Sequence, residues 1–265
     1  MKTSKADAFT LVELLTVIAI IAILMGLLLP ALQIARDLAN KAKAKTAVVN
    51  TAAAVKQYYT EYGKYPLAGV AQTGAVSSTD YVFGDANSAS TAGTPNNNNL
   101  LYDILRNYPN GAQTRTEGPS GVDGNPKQII FFEGILGIAT SGMPRGGFAG
   151  SSTGGTGVLG CYYDPWGAQY AISVDANYDN FVPVPYQDYP APSGSGLSYP
   201  SAVNVGCAAW SVGKDGVVGS ATSPGYYQSP SGIQSDDVIS WQEAGLALWF
   251  WVEGCETARM TGAQG

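Results

Sequence analysis

Residues Phe9 to Leu29 read FTLVELLTVIAIIAILMGLLL, an apolar run in which Glu13 is the only ionisable side chain. A helix of about 20 residues rises about 30 Å, the thickness of a bilayer's hydrocarbon core. Such a surface must be covered by lipid or by other apolar helices, and this constrains everything that follows it. Ahead of the run lies MKTSKADA, with Lys2 and Lys5. Basic flanks stay cytoplasmic, so the segment predicts a single-pass inner-membrane protein whose remaining chain lies in the periplasm. A secretory signal also has a basic start and an apolar stretch, but it is cut behind a shorter apolar core. Here the run is longer, and it continues through Pro30 into a helical pattern built to stay attached.

Glu13 is the informative residue. A carboxylate deep in an apolar helix costs roughly 3 kcal/mol on insertion scales, and a simple anchor has no use for one. No Lys or Arg lies on the same apolar segment. A cut before Phe9 would create an α-amino group. Pairing Glu13 of one copy with the amine of a neighbour would offset the desolvation of both charges.

The segment Ala8-Phe9-Thr10-Leu11-Val12-Glu13-Leu14-Leu15 resembles the prepilin peptidase site of type IV pilins and type II secretion pseudopilins. The resemblance implies removal of the leader between Ala8 and Phe9, methylation of the new N-terminus at Phe9, and a role for Glu13 in assembly. Pro30 matches the helix-kinking proline common in that family. Ala8 departs from it, since glycine usually precedes the cut, and slower processing is the expected consequence.

Behind Pro30, the stretch ALQIARDLANKAKAKTAVVNTAAAVKQYYTEYG places Leu38, Val48, Ala52, Val55, Tyr59 and Tyr62 at helical spacings. Gly63 and Pro66 form a stop signal. One helix is therefore expected from Phe9 to Tyr62, bent or locally melted at Pro30. Residues 67–99, rich in Gly, Ser, Thr, Ala and Asn, read as a long loop, and Asn99 as the cap of a short helix from Leu100 to Tyr108. After a polar loop over 109–127, residues 128–135 (QIIFFEGI) read as a buried strand. A Gly/Ser-rich loop covers 141–157. Further strands are expected at 168–175 and 202–213, and a final strand or short helix beginning at 237–241. The apolar stretch 246–252 (LALWFWV) is too short to span a bilayer and reads as buried or as a subunit contact. The division expected is a leader (1–8), a transmembrane or filament-core helix (9–30), an amphipathic helix (31–66) and a β-rich head with long loops (67–265). The fold class is α+β, with an antiparallel sheet packed on the amphipathic half of the helix.

Charge is uneven along the chain. From Tyr65 onward 16 acidic residues face 6 basic ones, although the whole chain carries a net charge of only −6. An acidic head repels phosphates, so nucleic acid is not an expected partner. The chain has no histidine, the commonest general base and metal ligand. It also shows no nucleophile motif and no Gly-rich phosphate loop, and no enzymatic activity is expected. The three cysteines, Cys161, Cys207 and Cys255, are far apart in sequence. One disulfide with a leftover thiol and three separate buried thiols both remain open.

The head carries a second resemblance. TEYGKYP at 60–66, DPWGAQY at 164–170 and WSVGKDG…SDDVISW ending at Trp241 look like segments of major pseudopilins of type II secretion. That likeness implies a calcium site on Asp215, Asp236 and Asp237, with carbonyls from Val212 and Val217. Calcium takes six to eight hard oxygens, which carboxylates and carbonyls supply. Gly213 and Gly216 allow the tight turn such a site needs, while the insert between Asp215 and Asp236 is longer than in the family. Asp175-Ala-Asn177-Tyr-Asp179 has the spacing of the start of a calcium loop but lacks its glycine and glutamate, and a hairpin turn accounts for it better. Asp164-Pro165-Trp166-Gly167 reads as a tight turn anchored by a buried Trp. The functional expectation is a pseudopilin that polymerises with itself through its N-terminal helix. It would work with prepilin peptidase, minor pseudopilins and an inner-membrane assembly platform, ending in a periplasmic or cell-surface filament. The competing readings are a surface type IV pilin for adhesion, motility or DNA uptake, and a membrane-anchored module that binds glycans through Tyr and Trp.

Overall fold

The computed structural model describes residues 11–67, 80–84, 97–107, 124–138, 142–150, 157–186, 201–220, 223–224, 227 and 235–241. Two compact units divide the chain, residues 1–42 and 43–265. Helix α1 (Leu11–Tyr62) is assigned without a break through Pro30. The proline lacks an N–H, yet its neighbours keep the helical path. Up to position 36 the described helix residues are exposed.

The second unit begins within α1. Ala44, Ala47, Val48, Thr51, Ala54, Val55 and Tyr58 are buried there. Their spacing of three and four residues sets them on one face. Small alanines let the helix approach the sheet closely, and Tyr58 fills the space near its end. The sheet is four-stranded and antiparallel, in the order β1-β4-β7-β10, formed by β1 (Tyr81–Phe83), β4 (Ala171–Val174), β7 (Cys207–Ser211) and β10 (Val238–Ile239). Phe83, Ile172, Val174, Cys207, Ala209 and Val238 pack in one cluster with the helix residues. Ala171, Ala208, Trp210 and Ile239 pack on the other side with Val182, Val184, Tyr186 and Val203. The central strands β4 and β7 are therefore buried along their whole length. Lys45 of α1 donates through Nζ to the Ile239 carbonyl at 2.8 Å, tying helix to edge strand. The α+β architecture expected from the sequence is the architecture found.

The other elements are short. They are α2 (Asn99–Leu105), β2 (Gly147–Phe148) paired with β3 (Tyr162–Tyr163), β5 (Val182–Pro183) with β6 (Ala202–Val203), and β8 (Gly219–Ser220) with β9 (Ser223–Pro224). Several sequence expectations need correction. The stretch 128–135 is not a strand. Gln128 has φ +55, and the Phe131 and Phe132 amides donate to the Leu105 carbonyl rather than to a ladder. Only part of the stretch is buried, since Ile130 and Ile135 are exposed. Strand β1 lies inside the expected loop 67–99. The stretch 202–213 is two strands separated by a turn, with the Val205 amide bonded to the Val203 carbonyl at 3.0 Å. The short helix ends at Leu105 and its cap position is Asn98, not Asn99, without a side-chain capping bond. The Asn98 side chain is committed elsewhere. Its Nδ2 donates to the Tyr162 and Tyr170 carbonyls, each at 2.9 Å, and its Oδ1 accepts from the Tyr162 amide at 2.9 Å. Cys161 and Cys207 are both buried. Cys255 and the apolar stretch 246–252 lie outside the described residues.

Candidate functional site

Two regions carry the expected functional residues. The first is the N-terminal part of α1. It is the single described helix long and apolar enough to cross a membrane, with a most apolar stretch of mean hydropathy 2.8 and none of it buried within the chain. Glu13 sits in its first turn, and Thr16 Oγ1 donates to the Glu13 carbonyl at 2.9 Å. Ala8 and Phe9 lie outside the described residues.

The second region is the C-terminal end of the sheet. Asp215 stands in the turn that leaves β7, and Asp236 and Asp237 immediately precede β10. Antiparallel pairing of Val238 with Ser211 brings those two stretches side by side. The insert between them does not keep the aspartates apart: one carboxylate oxygen from each of Asp215, Asp236 and Asp237 lies within 4.8 Å of the other two. Gly213 and Gly216 both have φ +70, a conformation that favours glycine. A Cβ on Gly213 would lie 2.8 Å from the Asp236 carboxylate. Only glycine lets backbone and carboxylate approach so closely.

Backbone amides orient the cluster. Asp236 Oδ2 accepts from the Lys214 amide at 2.6 Å and the Asp215 amide at 3.2 Å. Asp215 Oδ1 accepts from the Val217 amide at 2.9 Å, and Asp237 Oδ2 from the Gly219 amide at 2.7 Å. Val212 and Val217 bracket the turn that carries Asp215. Asp237 is only 4% exposed. Its Oδ1 is buried and accepts no hydrogen bond of normal geometry, although the Tyr186 hydroxyl lies near enough to favour the ionised carboxylate. Burial is the main force pushing the Asp237 carboxyl up to about 7. The charges of Asp236 and Asp215 add to it, and the Gly219 amide opposes it. A hard cation would supply what this oxygen lacks, and the donor set is all oxygen. The residues fit calcium by chemistry.

Asp164, read from sequence as the start of a tight turn, forms a buried hub. Its Oδ1 accepts from the amides of Trp166, Gly167 and Ala168 at 2.9, 2.7 and 2.9 Å. Its Oδ2 accepts from Ser211 Oγ at 2.6 Å. The hub anchors the end of β7, from which the Asp215 turn departs. Sequence reasoning found the turn but not the tie to Ser211. It also missed Asn98 and Asn125, whose side chains serve backbone groups of separate segments. Asn125 Nδ2 donates to the Ile104 and Ile129 carbonyls. Nothing in the run 96–99 marks Asn98 as the one whose side chain bridges Tyr162 and Tyr170.

Comparison with known proteins adds one match. Residues 3–29 match the family described as the prokaryotic N-terminal methylation motif. No curated protein and no solved structure matches the chain. The motif is that of structural subunits rather than of enzymes, and it implies processing by prepilin peptidase and polymerisation into filaments. With its apolar helix joined to an antiparallel sheet, the chain is type IV pilin-like in architecture, and it carries over residues 3–29 the prepilin-type signal of type IV pilins and pseudopilins.

Proposed function

We propose that the chain is a pseudopilin of a type II secretion-like apparatus. Cleavage between Ala8 and Phe9 frees the α-amine of Phe9, which is then methylated. The apolar half of α1 holds the subunit in the inner membrane with its head in the periplasm. It then packs against copies of itself, each Glu13 pairing with a neighbour's amine. Minor pseudopilins and an inner-membrane platform are the assembly partners. Calcium sits on Asp215, Asp236 and Asp237 with carbonyls of Val212 and Val217, and holds the C-terminal edge of the sheet. The observation that carries the filament reading is the methylation motif leading into a helix whose described apolar residues are exposed. The gathering of the three aspartates supports the secretion branch.

Mass spectrometry of native material should give a chain beginning at methylated Phe9. A chain that retains Met1, or begins behind residue 30, overturns the filament reading. Electron microscopy of sheared cell-surface material separates the branches: long surface fibres containing this chain would favour a surface pilus.

A further inference from the structure

A second carboxylate cluster forms at the opposite end of the sheet strands, from pieces of sequence that share no motif. Asp80 immediately precedes β1, Asp175 immediately follows β4, and Asp179 lies in the turn between β4 and β5. Pairing of Tyr81 with Val174 sets Asp80 beside Asp175. One carboxylate oxygen from each of Asp80, Asp175 and Asp179 lies within 4.8 Å of the other two. Asp175 is 1% exposed and Asp80 is 8% exposed, while Asp179 opens the cluster to solvent.

Most of the hydrogen bonds here build a turn and call for no ion. Asp175 Oδ1 and Oδ2 accept from the amides of Asp179 and Asn180 at 3.2 and 3.0 Å. Asp179 Oδ1 accepts from the Phe181 amide at 2.8 Å, and its Oδ2 from Asn177 Nδ2 at 2.9 Å. Asp80 differs. Its Oδ1 accepts from the Ala176 amide at 3.1 Å, but its Oδ2 is buried and accepts no hydrogen bond among the described residues. No ion pair joins a described lysine or arginine to any of the three. A buried carboxylate oxygen without a donor is costly, and more so beside two like charges. Burial first, then Asp175 and Asp179, push the Asp80 carboxyl up to about 7, and the amides of Ala176 and Asn177 offset only part of that.

We propose that Asp80, Asp175 and Asp179 hold a divalent cation, calcium by its preference for hard oxygens, with Asp80 Oδ2 as the buried ligand. The carboxylates supply three ligands, and water entering on the Asp179 side completes the shell. The turn 175–179 lacks the glycine and glutamate of an EF-hand loop because its missing ligand comes from a distant segment instead. The cation has a structural consequence. Tyr178, within the same turn, packs 5.6 Å from the Tyr65 ring and 6.5 Å from the Tyr59 ring. Fixing the turn fixes the seat of the last turn of α1 on the head. The site shares no residue with Asp215, Asp236 and Asp237, and stands independently of the secretion reading.

The test is calcium titration calorimetry on the full chain in detergent micelles, with circular dichroism confirming the same fold in every variant. The Asp237→Asn chain should still bind calcium, and adding Asp80→Asn should weaken that binding more than about tenfold, because ligand charge sets affinity. Asp179→Asn, at the solvent side where misfolding is least expected, should remove one binding equivalent from the otherwise unaltered chain. Calcium uptake that vanishes entirely with Asp237→Asn overturns the proposal. So does uptake whose affinity and stoichiometry are unchanged by Asp179→Asn. Loss of calcium response with Asp179→Asn but not with Asp237→Asn would support this site while removing the C-terminal one.

Discussion

Replacing Asp164 with alanine tests whether side-chain hubs hold the head where strands do not. The residue is fully buried. Its removal leaves the Trp166 and Ala168 amides without the acceptor they use, while the Gly167 amide keeps the Asp164 backbone carbonyl at 3.2 Å. Each orphaned buried donor costs about 1–3 kcal/mol. Ser211 Oγ also loses its acceptor, though it still accepts from the Gly213 amide at 3.2 Å. Against this, a buried carboxylate is removed. Burial raises the Asp164 carboxyl above its ordinary value despite help from Ser211 and the three amides. The net loss should be about 3 kcal/mol, a fall in melting temperature of about 6–12 °C for a unit of this size. Asp164→Asn keeps an acceptor for the three amides and should cost less than about 1 kcal/mol. The pH dependence gives a second readout. The folded carboxyl binds its proton more tightly than the unfolded one, whose value is about 3.9. Stability from this group is therefore fully present below about pH 3.9 and is lost as pH rises through the folded value. The unaltered chain should gain on Asp164→Asn as pH falls towards about 3.9. Differential scanning calorimetry of the full chain in micelles reads both effects. Equal losses for Ala and Asn, or an alanine variant within about 1 kcal/mol of the parent, would refute the hub.

Glu13→Leu should leave membrane insertion intact, since it makes the span more apolar, but should lower filament yield in shear preparations because the neighbour's amine loses its counter-charge. Chelation should lower the melting temperature of the chain and raise its protease sensitivity near residues 212–241. At a hundredfold excess over its dissociation constant, calcium contributes about 2.7 kcal/mol per site. Asp215→Ala should mimic part of that loss, and magnesium should substitute poorly. Gly84→Ala should destabilise by about 2 kcal/mol or more in thermal melts, because Gly84 has φ +77 and a Cβ there would lie 2.1 Å from the Tyr170 carbonyl oxygen.

Periodicity made α1, β4 and β7 legible. The buried face of α1 was less so: of the residues its spacing picked out, Val48 and Val55 are buried, Ala52 and Tyr62 only partly, and Leu38 and Tyr59 are exposed, because Ala44, Ala47, Thr51, Ala54 and Tyr58 complete the face that packs on the sheet. The stretch 128–135 misled because apolar content was read as a strand. Its backbone groups are served by Leu105 and Asn125 instead of a ladder, and no local pattern announces such partners. Strand β1 was hidden for the opposite reason. Three residues inside a Gly/Ser/Thr-rich stretch carry no periodicity, and their pairing with β4 is a long-range fact. Among the candidate sites, Asp215, Asp236 and Asp237 were named through resemblance, not spacing, and the fold brings them together. Asp80 could not be named at all, because its partners lie on the far side of α2 in sequence and meet it only through strand pairing.

The buried aspartates of the head fall into two kinds, and the difference says what each is for. Asp164, Asp80 and Asp237 are all less than a tenth exposed, and burial raises the carboxyl of each. Asp164 has donors for both oxygens, three amides and a hydroxyl, and no other carboxylate in its cluster of partners. Its charge is answered by the protein. Asp80 and Asp237 each leave one buried oxygen without a hydrogen bond of normal geometry, Asp237 having only the nearby Tyr186 hydroxyl, and each shares its space with two further carboxylates. Theirs is not. Among the described residues of the head most strands are two residues long, so ladder bonds fix little of that chain and such hubs add to them. The two kinds should separate cleanly under calcium. Asp164→Asn should shift the melting temperature equally in chelator and in millimolar calcium, because nothing at that hub competes with a cation. Asp80→Asn and Asp237→Asn should behave in the reverse way. Neutralising either removes like-charge repulsion, so each variant should match or exceed the parent in chelator and fall below it in calcium. If all three substitutions respond to calcium alike, the orphaned oxygens do not mark cation ligands, and the aspartate clusters are turns that tolerate their own repulsion.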